Sequence, residues 1–334
     1  MKNIAIYEGD SYKQFYPFTL NHGSFEIRIG SRTLLDSFID SKVNLILIVR
    51  DSIKNVVAER YPEATINPGK VPNIFEKIYL DKEINNISLF NYVGCHEQLL
   101  NYSYMNGVAD PSAIMINKSN ILISNSAKVF AGTILDASEG AIIIDDNALV
   151  DIGALVRGPI YIGKNSIINP GSKLTDVTIG PYCKIGGEVE HTTFHGYSNK
   201  QHDGYLGHSY IGEWVNLGAN TNNSDLKNNY SNIRVNIGSE EIDAGMFAGC
   251  LIGDYTKTGI STMINTGTYI GLGCNVFGAG FQNKHIPNFS WGMNDEKTDF
   301  NKFIETLKIV KGRRSKGVTP SELKLIKNIY ENKI

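Results

Sequence analysis

The sequence predicts a parallel β-solenoid that follows a small α/β domain and is closed by helices. Two observations carry the solenoid and a third carries the flanking parts. Aliphatic residues return every sixth position, as Ile144, Val150, Val156, Ile162, Ile168 and Leu174 and, further on, Met246, Ile252, Thr258, Ile264, Ile270 and Val276. Glycine often follows the aliphatic, as in Ile162-Gly163, Ile179-Gly180 and Leu217-Gly218. Before and after this stretch the repeat is absent. A six-residue period fits neither a helix nor a long alternating strand. It does fit short strands joined by tight corners, each side of the coil turning one aliphatic residue to a common axis.

Residues 1–112 read as the α/β domain. Residues 4–7 and 43–49 are apolar and β-branched, while 31–38 and 51–60 begin with capping residues and space their apolar groups three or four apart. Alternation of the two patterns predicts a short parallel sheet. Residues 113–288 form the solenoid, with interruptions expected between Glu188 and His202 and between Asn220 and Val235. Residues 289–334 form a helical cap. There Thr319-Pro320-Ser321-Glu322 has capping-box spacing with proline at the first helical position, ahead of Leu323, Leu325, Ile326 and Ile329. A helix here covers the open end of a solenoid, where strand edges would otherwise lie unpaired.

The chain of 334 residues has a formal net charge of −2 with acids and bases interspersed, so it carries no footprint for nucleic acid or an anionic membrane. A small-molecule partner is the default, and without a long apolar run or a basic-then-apolar leader the expected location is the cytoplasm. Cys95, Cys183, Cys250 and Cys274 are isolated, which predicts reduced core thiols rather than disulfides or a zinc site.

The break in the repeat concentrates polar residues: His202-x-x-Tyr205-Leu206-Gly207, Ile211-Gly212, then Asn216-Leu217-Gly218-Ala219 and Thr221. These residues resemble the acetyltransferase half of the bifunctional GlmU-like family, whose hexapeptide-repeat domain is a left-handed parallel β-helix. The first domain, with Phe15-Tyr16-Pro17-Phe18-Thr19 and Glu26-Ile27-Arg28-Ile29-Gly30, is similar to a truncated sugar-nucleotidyltransferase domain.

The resemblance implies an acyltransferase that uses acetyl-CoA on an amino sugar phosphate or a nucleotide-linked amino sugar, assembled as a homotrimer. It implies His202 as general base on the amine and the Ala219 N–H as the donor that polarises the thioester carbonyl, a chemistry suited to a group that titrates near neutral pH. Tyr205 and Asn216 match positions that hold the amino-sugar phosphate, and Cys250 and Thr266 match positions against coenzyme A. Asp225 stands where the family has asparagine, and the family's phosphate-neutralising lysine has no clear partner, although Lys200 and Lys227 are close in sequence. A carboxylate there would repel a phosphate, but it could pair with a substrate ammonium or orient His202.

Three other readings belong beside this one. A sugar-1-phosphate nucleotidyltransferase would use Mg2+ and the first domain, but the expected Gly-rich loop is replaced by residues 8–15 with one glycine and no arginine, leaving Lys13 and Arg28 as the cations near it. A non-catalytic sugar-nucleotide-binding scaffold would keep the fold and lose the chemistry. A metal site built from His191, His195, His202 and His208 is disfavoured, because the spacing does not reproduce that of hexapeptide-repeat proteins that resemble zinc carbonic anhydrases and the surround is rich in asparagine.

Overall fold

The computed structural model describes every residue except 40–41, 84–88, 95–104, 239, 294–295 and 334, so Cys95 lies outside the described residues. The first domain is a four-stranded parallel sheet in the order Thr65–Ile66, Val43–Ile48, Lys2–Tyr7, Glu76–Tyr79. Its central strand buries Ile4, Ala5 and Ile6 completely, as a strand covered on both faces must. The helix Leu34–Phe38 starts where Thr33 Oγ1 accepts from the Asp36 N–H and the Asp36 carboxylate accepts from the Thr33 N–H at 2.8 Å.

The solenoid follows as a stack of coils with three faces. The longest face runs through Ile121–Ile123, Ile142–Ile144, the second halves of Leu155–Ile162, Lys173–Ile179 and Glu188–Gly196, then Tyr210–Glu213, Cys250–Ile252, Thr268–Ile270 and His285–Ile286. Every pairing along it is parallel. The aliphatics from Ile144 to Leu174 are at most 2% exposed, so the six-residue rhythm is the interior stack. Corner residues such as Asn147 and Asn165 take left-handed backbone, which asparagine tolerates better than most side chains.

Two details depart from the sequence reading. Residues 188–202 do not interrupt the coil: Glu188–Gly196 and Asn199–Lys200 pair in register with the coil before. The true excursion leaves after Asn222–Asn223, carries the hairpin Arg234–Ile237 and Glu240–Asp243, and returns at Ala248. Met246 lies on that excursion and is 44% exposed, so the second aliphatic run begins at Ile252.

Coils differ in one corner. Where Thr175, Glu190 and Gly207 give way to the next face, a single left-handed residue makes the bend, and those three stacked residues are Asp176, His191 and His208. Removing corner residues shortens the coil and aims these side chains along one edge.

The helices Phe300–Gly312 and Pro320–Tyr330 close the molecule from the flank. Thr319 Oγ1 accepts from the Glu322 N–H, which is half of the predicted capping box; the Glu322 carboxylate accepts from Lys311 and Tyr255 instead. Phe303 and Tyr330 pack edge-on to Phe289 of the last coil, and one apolar core joins these helices, the first domain and the outer side chains Tyr210, Trp214, Tyr255 and Tyr269 of the solenoid. Among the described residues no helix is long and apolar enough to cross a membrane.

Candidate active site

Two corners flank the strand Tyr205–Gly207, and they differ in kind. The first is open. In the third face Ile168, Ile185, Lys200 and Leu217 stack, so the residues two places on, Pro170, Gly187, His202 and Ala219, stack along the corner that follows. His202 and Ala219 therefore sit one coil apart, about 4.8 Å along the hydrogen-bonding direction. Both line a shallow depression of about 460 Å³ with Asn169, Asp203 and Asn220. His202 is exposed. Among the described residues the Ala219 N–H donates to no protein acceptor, whereas its neighbours do: Asn220 N–H to Asp203 O and Thr221 N–H to Gly218 O. The wall does not need that donor, since Pro170 at the equivalent place has none.

Lys200 explains how the open corner is held. It occupies an aliphatic position of the stack, is 1% exposed, and donates to Gly186 O and His202 O, each at 2.9 Å. Burial drives its pKa down to about 8. Its ammonium is therefore part of the wall that carries His202, and the expected contact with a substrate phosphate gives way to this because the side chain points inward.

The second corner is filled. His191 and His208 stack at 4.6 Å between centroids, and Phe247 covers His208 at 5.0 Å. Nδ1 of His191 meets Asp176 Oδ2 at 2.8 Å, and Nδ1 of His208 meets Asp225 Oδ2 at 2.7 Å. The Tyr205 hydroxyl donates to the same Asp225 oxygen at 2.8 Å. Asp225 thus orients His208 and Tyr205, not His202. Burial opposes its charge, but the hydrogen bonds from His208 and Tyr205 prevail and hold the carboxyl below its ordinary range. His208 was weighed from sequence only as a metal ligand. The signal that finds its true partner is the coil length, since Asp225 follows it by 17 residues.

The remaining predicted residues scatter. Asn216 is exposed on the third face, opposite the C-terminal helix. Lys227 donates to Asn232 O within the excursion. Cys250 is fully buried, with its thiol pushed up to about 12 by burial and its Sγ 3.3 Å from Ser209 Oγ, so it has no thiolate chemistry. Thr266 is 2% exposed and accepts from Lys284 Nζ at 3.4 Å. Cys183 and Cys274 are buried free thiols.

Arg28 is engaged where the first domain meets the solenoid, donating to His195 O and Ser31 O. Beside it lies a buried network: His22 bonds Asp254 at 2.8 Å, Arg60 bonds Glu26 at 2.9 Å, and His195 Nε2 bonds Glu26 O at 2.8 Å. His22, His195 and Glu213 bring ligand atoms within 4.8 Å of one another. Burial and Arg60 disfavour the charge on His22, yet Asp254 and Glu26 outweigh them and hold its pKa near about 10. His22 pairs with Asp254 through Nε2 and faces Glu26 Oε2 at 3.6 Å through Nδ1, while Arg60 pairs with the same Glu26 carboxylate, so the cluster works as an ion-pair lock between domains.

No protein-family profile matches the chain. It is 34% identical over 152 residues to the bifunctional sugar-1-phosphate nucleotidylyltransferase/acetyltransferase of Sulfurisphaera tokodaii, covering 44% of this chain and 38% of that one. Over that stretch the chain is similar to proteins of the bifunctional GlmU type. The bifunctional protein GlmU of Buchnera aphidicola is 27% identical over 188 residues, covering 45% of this chain and 38% of its own, and that of Methanocaldococcus jannaschii 36% over 73 residues, covering 22% and 18%. The chain thus spans well under half the length of these relatives. A crystal structure of a UDP-N-acetylglucosamine acyltransferase overlaps 56% of this chain and 69% of its own at 16% identity and a TM-score of 0.22, too loose a superposition to bear on function.

Proposed function

We propose that the chain is a hexapeptide-repeat acyltransferase that moves an acetyl group from acetyl-CoA to the amine of an amino sugar phosphate or nucleotide-linked amino sugar, as a cytoplasmic homotrimer. The observation that carries this reading is the open corner, where an exposed imidazole and a backbone N–H free of any described protein acceptor lie one coil apart. His202 takes a proton from the amine as its nitrogen attacks the thioester carbonyl. The oxygen of the tetrahedral intermediate accepts from the Ala219 N–H, the C–S bond breaks, and the proton passes to the leaving thiolate. Tyr205 and Asn216 flank this corner along the chain and would hold the sugar. Cys250 and Thr266, being buried, would meet coenzyme A only through the backbone of their coils. Exposed Met263, Phe277, Phe281 and Trp291 near the last coils support burial against a second copy.

Release of coenzyme A thiol in the presence of glucosamine-1-phosphate or a nucleotide-linked amino sugar tests the reading. Absence of thiol release with every amino-sugar acceptor would falsify it.

A further inference from the structure

A cavity of about 270 Å³ lies between the third face of the solenoid and the end of the helix Phe300–Gly312. Four cations line it, Lys184 and Lys257 from the coils and Arg313 and Arg314 from the helix end, and no carboxylate lines it. Asn199 and Asn216 add amide groups, and Arg314 reaches Asn199 Oδ1 at 3.5 Å. Tyr197 and Trp214, stacked at 4.4 Å, form one wall, and Tyr182 continues the ring stack at 5.0 Å outside the lining. Lys311 lies over Trp214, but its ammonium is paired with Glu322 at 2.6 Å, so that carboxylate is engaged elsewhere.

Four cations gathered at one partly open cleft repel each other, and an anion between them relieves that repulsion. The cavity is at the small end of ligand sites, and the arginine forks match the geometry of phosphate oxygens. We infer that this cavity binds the phosphate of a small phosphorylated ligand. It supplies the anion anchor that the polar stretch around His202 lacks. Burial lowers the pKa of Lys257, whose ammonium donates to Tyr255 O at 3.2 Å. Gln201 lines both this cavity and the depression at His202, so a ligand anchored by its phosphate extends toward the open corner. The inference goes with the acyl-acceptor reading, but its test is a binding measurement that needs no acyl transfer.

Calorimetric titration with glucosamine-1-phosphate, coenzyme A and inorganic phosphate, each against wild type and Arg313→Gln/Arg314→Gln, decides it. The expected result is millimolar or tighter binding of a phosphate probe, weakened on the order of tenfold for each arginine removed. Arg313→Lys/Arg314→Lys should restore part of it, and unchanged thermal unfolding shows that the helix end remains folded. Preference for the sugar phosphate identifies the acceptor as the source, and preference for coenzyme A identifies the donor. Binding of no probe, or binding that the double glutamine variant leaves unchanged, overturns the inference. Acyl transfer with unchanged binding sinks this site alone, and phosphate binding without acyl transfer sinks only the proposed function.

Discussion

The corner at His202 and the corner at His208 bound the same strand, yet one is open and the other is filled. At the open corner the side chain is exposed, and Lys200 holds the turn from beneath through backbone carbonyls. At the filled corner every described polar group has a partner on the next coil: Asp176 with His191, Asp225 with His208 and Tyr205. A solenoid makes this division cheap to build, because each coil repeats the wall and only corner residues change. Chemistry needs an unsatisfied donor and a mobile proton acceptor, whereas rigidity needs the opposite.

The sharpest break of the comparison is His202→Ala. Loss of a general base lowers the rate of a transfer reaction by roughly a hundred- to ten-thousandfold. Since the side chain is exposed and makes no described side-chain hydrogen bond, thermal unfolding should be unchanged. A variant that transfers acetyl as fast as wild type removes the open corner from the mechanism.

Asp225→Asn should act in the opposite sense, on stability first. It weakens two hydrogen bonds to one half-buried oxygen, each charge-assisted, at a cost of about 2 kcal/mol. The double variant with His208→Asn should cost clearly less than the sum of the singles, because both remove the same pair. Strictly additive effects in chemical denaturation would show that the filled corner is not a unit. Activity should fall less than in His202→Ala, through a looser Tyr205.

What the sequence made legible follows from locality. The aliphatic stack and the Thr319 cap depend on neighbours within one coil or one turn, so spacing alone reveals them. The unbroken strand Glu188–Gly196 was misread because Thr192 takes an interior position, Thr193 faces outward to Gly94 O and His191 makes the corner, so the stretch looks like a polar break. Asp225 was flagged as anomalous, but its partner lies 17 residues away and is found only by adding one coil length. The cationic cavity was invisible for a stronger reason. Arg313 and Arg314 meet Lys184 and Lys257 only because the closing helix folds back along the third face, and no repeat encodes that return.

The smallest expected effect concerns Lys200, and it separates the support of the open corner from its chemistry. A lysine whose pKa falls from the usual 10.5 to about 8 in the folded chain costs stability. The penalty is full below about 8 and is relieved as pH rises toward 10.5, where the unfolded chain also loses the proton. Lys200→Met removes the buried charge, so at neutral pH it should unfold at an equal or slightly higher denaturant concentration than wild type. The rise in stability that Lys200 gives wild type between about pH 8 and 10.5 should vanish in the variant. The same change frees Gly186 O and His202 O from their common donor, which loosens the turn that presents the imidazole. Acyl transfer should therefore drop several-fold in kcat while stability does not fall. If the variant instead loses stability at neutral pH and keeps full kcat, the buried ammonium is a structural necessity and the turn at His202 is held by something other than Lys200.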